Sequence, residues 1–492
     1  MYSLVLLLGG LSSVAQGAAL ASIDDCLRQA GVPADIPGSE DWERDAAAYN
    51  VRVPILPAAI AVPTTIPQIQ KAVNCGRESN LKVSAKAGGH SYTAGGFGGE
   101  DGHLVVELDR MYNVTLDSAT NIATVQPGTR LGHMATQTGH FSRVGASGHF
   151  THGGYGFSSH THGLAMDWVV GATVVLANGS IVETSKTENE DLFWAIRGAG
   201  PSFGIVASWR LQTFEPPSIL TWFKVALNWN RSNAANYLSA VDRYIHTDMT
   251  RELNFRIADY ENGHPVAEGL FYGGKEQMES HLAPLLSASN GVLNDSREVD
   301  WLDAIRHYSA DNTYNETINA TVDWVVPGPP DNFYAKSLTI DRLNGTAAEQ
   351  ITDYWFRNAT QVKRQWFIQI DASGGPTSKV SATRNNETAY AHREKTWIIQ
   401  FYDAVAANET YPAGGLAFLD GWVAAVTGAL EAAGDRSYGA YGNYPDPSLD
   451  RRTAQSLYYG VNLEKLRRLK ARYDPGELFY SPQSIEPWRD EP

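Results

Sequence analysis

Apolar and polar positions along the chain change period several times. Cys26 to Asn50 is polar and mostly helical in character, and Pro54 to Pro63 is apolar but proline-punctuated, an edge-type strand. Thr65 opens a helix in which Ile66, Ile69, Val73 and Cys75 form the apolar face, and Asn74 to Asn80 closes it. Leu81 to Ser84, His103 to Leu108 and Ile122 to Gln126 alternate with period two, as half-buried strands do. Arg130 to Gln137 predicts a short helix, Val169 to Leu176 a strand, and Asp191 to Gly198 an amphipathic helix ending at glycine. Pro216-Pro217 then breaks the chain. From Ser218 to about Arg436, strand-like runs (Thr221 to Leu227, Leu253 to Ala258, Trp366 to Asp371) alternate with helices (Asn236 to His246, Gln277 to Leu286). That predicts an antiparallel sheet backed by helices, in a chain of α+β class. A helix from Ala454 to Tyr473 ends the pattern.

Composition adds bounds. The chain has 492 residues, 43% hydrophobic and 19% charged, enough for two domains. Its net charge of −15 opposes a nucleic-acid partner, which needs a basic face. Residues Met1 to about Ala21 hold an apolar core, Leu4-Val5-Leu6-Leu7-Leu8, and end in small residues, which reads as a secretory signal peptide. A membrane anchor is the rival, but the run is short and broken by Gly9, Gly10, Ser12 and Ser13; no later run reads as a membrane span. Glycosylation sequons start at Asn113, Asn178, Asn230, Asn294, Asn315, Asn319, Asn344, Asn358, Asn386 and Asn408, in keeping with a glycosylated surface. Cys26 and Cys75 are the only cysteines; an even pair behind a signal peptide is expected to form a disulfide, with two free buried thiols as the alternative.

The candidate chemistry lies in two glycine-rich stretches. Ser84-Ala85-Lys86-Ala87-Gly88-Gly89-His90-Ser91-Tyr92 follows a strand and sets one histidine behind two glycines. Residues without Cβ let backbone N–H groups approach a phosphate, and a histidine on the rim can reach what the phosphate carries. The plain alternative is a surface turn with an incidental histidine. Gly145 to Gly156 is the second stretch, leading to His160 and His162. The four histidines from His149 to His162 raise a metal site, but His149 and His152 have no HExxH or cysteine partner, so none is expected. Gly269 to Glu276 mimics a P-loop but ends in Glu rather than Ser or Thr, and reads as a hairpin. Recurrent tryptophans, among them Trp222, Trp301 and Trp397, suit a sugar's C–H face as well as a core.

These motifs resemble the vanillyl-alcohol-oxidase superfamily with its PCMH-type FAD-binding domain. More narrowly, the chain is similar to the berberine-bridge-enzyme-like fungal oligosaccharide oxidases, of glucooligosaccharide and chitooligosaccharide type, from about Val53 to the C-terminus. The residues carrying the resemblance are Gly88-Gly89-His90-Ser91, the run GGYGFSSHTHGL from Gly153, Gly200 to Val206, and Asn443-Tyr444-Pro445-Asp446 within YGAYGNYPDP. Behind the signal peptide read at 1–21, the resemblance implies an FAD-binding domain at 22–216, a substrate domain at 217–436, and a berberine-bridge-like segment at 437–492 returning to the FAD domain. It implies FAD bonded through its 8α-methyl to His90. Ser84, Lys86, Ala87, Gly88, Gly89, Ser91, Gly148, His149, Gly153, Gly154, Gly156, Ile205 and Val206 would contact the cofactor. It implies Tyr444 as base, assisted by Asp371, with Tyr92, Gln369 and Gln400 on the sugar and Glu268 toward its C2 side. A lone tyrosine, with a pKa near 10, needs such an assistant. The implied reaction takes hydride from C1 of a reducing-end cello- or chito-oligosaccharide to flavin N5, giving a lactone and then an aldonic acid. Electrons pass to O2, yielding H2O2, or to a quinone or other acceptor. A monomer without nucleic-acid or membrane partners is expected.

The chain departs from the family pattern at one place. Doubly tethered members carry a cysteine just before the second glycine stretch, where this chain runs Gly139-His140-Phe141-Ser142-Arg143-Val144 into Gly145. Only the His90 link is therefore expected. Three rival readings stand: a secreted glycoside hydrolase with two carboxylates, a related flavoenzyme acting on a phenol, alkaloid or polyketide, and a non-catalytic binding protein. The first leaves the glycine–histidine loop unexplained, Gln369, Asp371 and Gln400 favour a polyol over the second, and Tyr444 with Asp371 opposes the third.

Overall fold

A computed structural model describes residues 22–134, 144–261, 263–309 and 330–489. The expected leader at 1–21, the segment 139–143 and the sequons at Asn315 and Asn319 lie outside them. The described chain forms three sheets.

The first sheet comprises β1 (Ala34–Asp35), β2 (Ala59–Ala61), β3 (Val83–Lys86) and β4 (Leu104–Glu107), in the order β1-β2-β4-β3. β4 runs parallel to both β2 and β3. Parallel neighbours need a crossover, and the helix Ile66–Glu78 connects β2 to β3, its first turn capped by Thr65, whose side chain accepts from the Gln68 amide. The edge strand read at Pro54 to Pro63 is corrected: only Ala59–Ala61 is extended, fully buried between β1 and β4. Pro57 and Pro63 fall outside those residues, so no ladder donor is lost. A disulfide joins Cys26 to Cys75 and fastens the helix Ile23–Ala30 to the crossover helix.

The second sheet is antiparallel: β5 (Val114–Asp117), β6 (Ile122–Val125), β7 (Val169–Val175), β8 (Ile181–Ser185) and β9 (Ile205–Gln212), in the order β5-β6-β9-β7-β8. The short helix Leu131–Met134 and the helix Ala146–Thr151 sit between β6 and β7, so the second glycine-rich stretch begins as helix rather than loop.

The third sheet has seven antiparallel strands: β10 (Leu220–Leu227), β11 (Leu253–Tyr260), β12 (Val266–Phe271), β13 (Gly291–Val299), β14 (Asn332–Ile340), β15 (Gln365–Ala372) and β16 (Trp397–Val405). Their order is β13-β10-β12-β11-β15-β16-β14. Period-two alternation gives it two unlike faces. Phe223, Val225, Phe255, Ile257, Ile368, Ile370, Ile399 and Phe401 enter one buried core with residues of the helices Ala234–Thr247, Lys275–Ser289, Gly345–Arg357 and Gly414–Ala432. The last helix is long and apolar enough to cross a membrane by length and composition alone, beyond what the sequence reading found. Its Phe418, Leu419, Trp422 and Val426 pack into this core.

Two further expectations are corrected. Gly269 to Glu276 is not a hairpin: β12 ends at Phe271 and a helix starts at Lys275. Met278, Leu282 and Leu285 behind it are buried at helical spacing. The single helix from Ala454 to Tyr473 is two, Arg451–Tyr459 and Leu463–Tyr473. They part at Gly460, whose φ of +43° suits glycine.

Candidate active site

The first glycine stretch leaves β3 with Lys86 pointing inward, ion-paired to Glu107 and donating to the Asp45 carbonyl at 3.0 Å. Burial pushes the Glu107 carboxyl up to about 7. The chain then turns at Gly89, with φ +73°. Gly88 touches the second stretch backbone to backbone: a Cβ on it would lie 2.1 Å from the Gly145 nitrogen. The amides of Gly88 and Gly89 donate to no backbone carbonyl among the described residues. His90 lies half-buried with its ring 4.5 Å from that of Tyr49, and Ser91 Oγ accepts from the Gly95 amide.

The second stretch answers it. Gly148 has open space where a Cβ would stand. His149 is buried, its Nε2 has no hydrogen-bond partner among the described residues, and burial lowers its pKa to about 3, so it is neutral. Ser84 Oγ is likewise buried and unpartnered. Bare backbone and unpartnered polar atoms around a glycine seam fit a phosphate-bearing cofactor such as FAD. Gly154 and Gly156 differ, since their amides are engaged within the protein. Gly154 and Tyr155 donate to Tyr441 Oη at 3.0 Å each, and Gly156 donates to Ser159 Oγ at 3.0 Å. Gly153 carries φ +132° and packs against Tyr441 and Tyr390. Ile205 and Val206 start β9 and bury their side chains in two separate protein cores. His160 Nδ1 donates to the Arg251 carbonyl at 3.1 Å and His162 stacks on Phe214 at 4.8 Å, so both rings are engaged within the protein.

The polar face of the seven-stranded sheet supplies the other half. Gln369 and Gln400 stand opposite each other on β15 and β16, and Asp371 is two residues along on the same face. Gln400 Nε2 donates to Tyr92 Oη at 2.9 Å, tying this face to the first glycine stretch. The Tyr92 ring lies nearly parallel to Tyr444, 5.9 Å between centroids, and Tyr441 meets Tyr444 edge-on at 5.1 Å. Ser337 Oγ donates to the Tyr444 carbonyl at 3.1 Å. Asp446 locks the motif below: Lys336 Nζ donates to it at 2.5 Å and Tyr334 Oη at 2.7 Å. Burial first, and the Asp371 charge second, hold the Tyr444 hydroxyl well above the ordinary phenol range. Burial pushes Asp371 up to about 7, against Arg256 and a Tyr155 hydroxyl that pull it down. Asp371 Oδ1 has no hydrogen-bond partner.

Glu268 sits on β12, and Arg256 takes its carboxylate, Nε donating at 2.9 Å. The structure thus brings together Tyr444, Asp371, Tyr92, Gln369 and Gln400, while Glu268 is reached through Arg256. Sequence reasoning missed Arg256, Tyr155 and Tyr441. For Arg256 the signal was a lone arginine within the apolar run Leu253 to Ala258, whereas Tyr155 and Tyr441 stood inside the motif runs GGYG and YGAYGNYPDP.

Residues 57–185 match the family model "FAD binding domain", and 440–486 match "Berberine and berberine like". The fold and the glycine seam are therefore those of an FAD-dependent oxidoreductase acting on CH–OH groups. The carbohydrate oxidase of Microdochium nivale is 50% identical over 481 residues, 95% of each chain. Its crystal structure with a substrate analogue superposes with a TM-score of 0.91 at 48% identity, over 95% of this chain and 100% of that one. The xylooligosaccharide oxidase of Thermothelomyces thermophilus is 45% identical, again over 95% of each chain. A glucooligosaccharide oxidase from Acremonium strictum, with 6-S-cysteinyl, 8α-N1-histidyl FAD, superposes at TM-score 0.90 and 41% identity, over 96% of this chain and 100% of that one. The chain belongs to the FAD-dependent, berberine-bridge-like oligosaccharide oxidases.

Proposed function

We propose that this enzyme oxidises the anomeric C1 hydroxyl of reducing-end oligosaccharides of cello or chito type to the lactone, which opens to the aldonic acid. FAD, held covalently by His90 alone, supplies the hydride acceptor, with O2 as the final oxidant and H2O2 as product. Both cysteines are consumed by the Cys26–Cys75 disulfide, which supports a single tether. The observation that carries the reading is the meeting of Tyr444, Asp371, Gln369 and Gln400 on one polar face that Tyr92 joins to the glycine seam.

In this reading Gln369 and Gln400 orient the sugar hydroxyls and Tyr92 walls the catalytic subsite. Tyr444 Oη takes the O1 proton as its own passes toward the Asp371 carboxylate, so a phenol can serve as base below its ordinary pKa. Tyr155, donating to Asp371, holds that carboxylate in place. The buried site excludes water while C1 is held in a near-attack pose.

The test is an absorption spectrum before and after acid precipitation, then anaerobic addition of cellobiose and chitobiose. Colour retained on the precipitate and bleaching by one sugar are expected, with re-yellowing in air for an oxidase. A colourless protein after FAD loading overturns the reading. Slow re-yellowing in air and fast re-yellowing with a quinone would make it a dehydrogenase. Secretion is part of the proposal: the disulfide supports it, as do the exposed asparagines at 113, 178, 230, 294, 358, 386 and 408. Endoglycosidase treatment of the secreted protein should sharpen and lower its band on a gel.

A further inference from the structure

We infer that Arg256 and Glu268 are positioning residues for the reaction, the inner pair of a row of alternating charges that keeps Asp371 ready to accept a proton. This rests on the reading of Tyr444 and Asp371 above. Asp295, Lys224, Glu268, Arg256 and Asp371 stand in direct register across five neighbouring strands, β13, β10, β12, β11 and β15. Directly opposed residues share a face, so all five lie on the polar side of the sheet. The row runs inward from water. Asp295 and Lys224 are exposed, the Glu268 side chain is 18% exposed, that of Arg256 6%, and Asp371 is 2% exposed. Arg256 Nε donates to Glu268 Oε1 at 2.9 Å. At the end of the row, Asp371 Oδ1 has no hydrogen-bond partner among the described residues.

A buried carboxyl keeps its proton unless an opposite charge offsets the lost hydration. A protonated Asp371 cannot take the proton of Tyr444. Arg256 faces Asp371 and favours the carboxylate, while Glu268, across Arg256, opposes it. Burial raises Asp371 most, and on top of it Arg256 and Glu268 act with opposite sign. Lys224 and His307 face Glu268 from its outer side. Among the described residues, the remaining groups facing Asp371 are Tyr155, Tyr260, Tyr441 and Tyr444, phenols held above their ordinary range. Glu268 therefore acts through Arg256 rather than on the sugar.

The experiment is the pH dependence of anaerobic bleaching by cellobiose and by chitobiose, with the sugar dissociation constant read from the same titrations. D371N should abolish the acid limb; if it keeps the limb, the Asp371 reading itself falls. With that limb assigned, E268Q should move it to lower pH and R256M to higher pH, each by about one unit. R256K should return most of the way. Limbs that stay in place, with only sugar binding weakened, overturn the inference and return both residues to sugar contact. Should R256M fail to fold, the sign in E268Q decides, and an upward shift or none overturns it. Thermal unfolding reads the same charge without turnover. The pH at which the melting gap between each variant and its own D371N derivative levels off should follow the same order.

Discussion

In the proposed reading, function at the glycine seam is made of backbone and on the sheet face of side chains. Gly88 and Gly145 approach so closely that neither has room for a side chain, and the polar atoms left over, Ser84 Oγ and His149 Nε2, are few. On the sheet face those side chains stand at alternate positions of β11, β12, β15 and β16, fixed by register. Backbone function tolerates almost no substitution but needs only short contiguous runs. Side-chain function spreads over distant runs and depends on the ladder to bring them together. The two regions should therefore fail differently, one by losing the cofactor and the other by losing rate with the cofactor in place.

The strongest break is Gly88→Ala. Its Cβ would stand 2.1 Å from the Gly145 nitrogen and 2.8 Å from an Arg130 side-chain nitrogen, so the seam must open. Purified protein should lose most of its flavin absorbance. A fully yellow G88A enzyme with normal bleaching would mean that the seam does not hold the cofactor. Tyr444→Phe is the matching break on the other side. It should stay yellow and bind sugar as before, with bleaching slowed by about 10²–10⁴. Unchanged bleaching would remove Tyr444 as base.

Tyr155→Phe sharpens the comparison, because Tyr155 belongs to the second glycine stretch by sequence but serves the sheet face by its hydroxyl. Losing one hydrogen bond to a charged group is worth about 1.5–3 kcal/mol, roughly ten- to a hundredfold in bleaching rate, with flavin retained. Flavin loss instead would assign Tyr155 to the seam. Replacing Cys26 and Cys75 together by serine should lower stability by about 2–4 kcal/mol without changing the bleaching rate of the folded enzyme, since the disulfide fastens helices behind β2 and β3 rather than the site.

How much could be read beforehand follows the same division. The seam was legible residue by residue, because Gly88, Gly89, His90 and Gly148 to Gly156 are consecutive and their composition is unusual. The strands of the third sheet were legible as alternating runs, close to the limits of β10, β11 and β15. Which residues faced one another was not, because register depends on pairings across more than a hundred residues, such as Arg256 with Asp371. Tyr444 and Asp371 were named through resemblance alone. Glu268 too was named through resemblance alone, and its partner Arg256 lies on the adjacent strand, where only register brings the two together. The single long C-terminal helix was misread because periodicity continues through Gly460, whose positive φ breaks it.

The smallest expected effect tests the electrostatics without any sugar. Asp371 has its pKa raised from 3.8 to about 7, with burial the main cause. A carboxyl raised on folding favours the protonated folded state, so its contribution to stability is full below the unfolded value. It is lost as pH climbs from about 4 to about 7, and stays lost above. Aspartate replaced by asparagine cannot titrate. The melting temperature of Asp371→Asn, measured against the parent, should therefore rise by a few degrees across that window and then level off. Any fixed offset from altered packing or from the bond to Tyr155 is the same at every pH and drops out. A gap that stays flat from pH 4 to 8 would mean Asp371 keeps an ordinary pKa. The sheet face would then owe its chemistry to geometry alone, as the seam does.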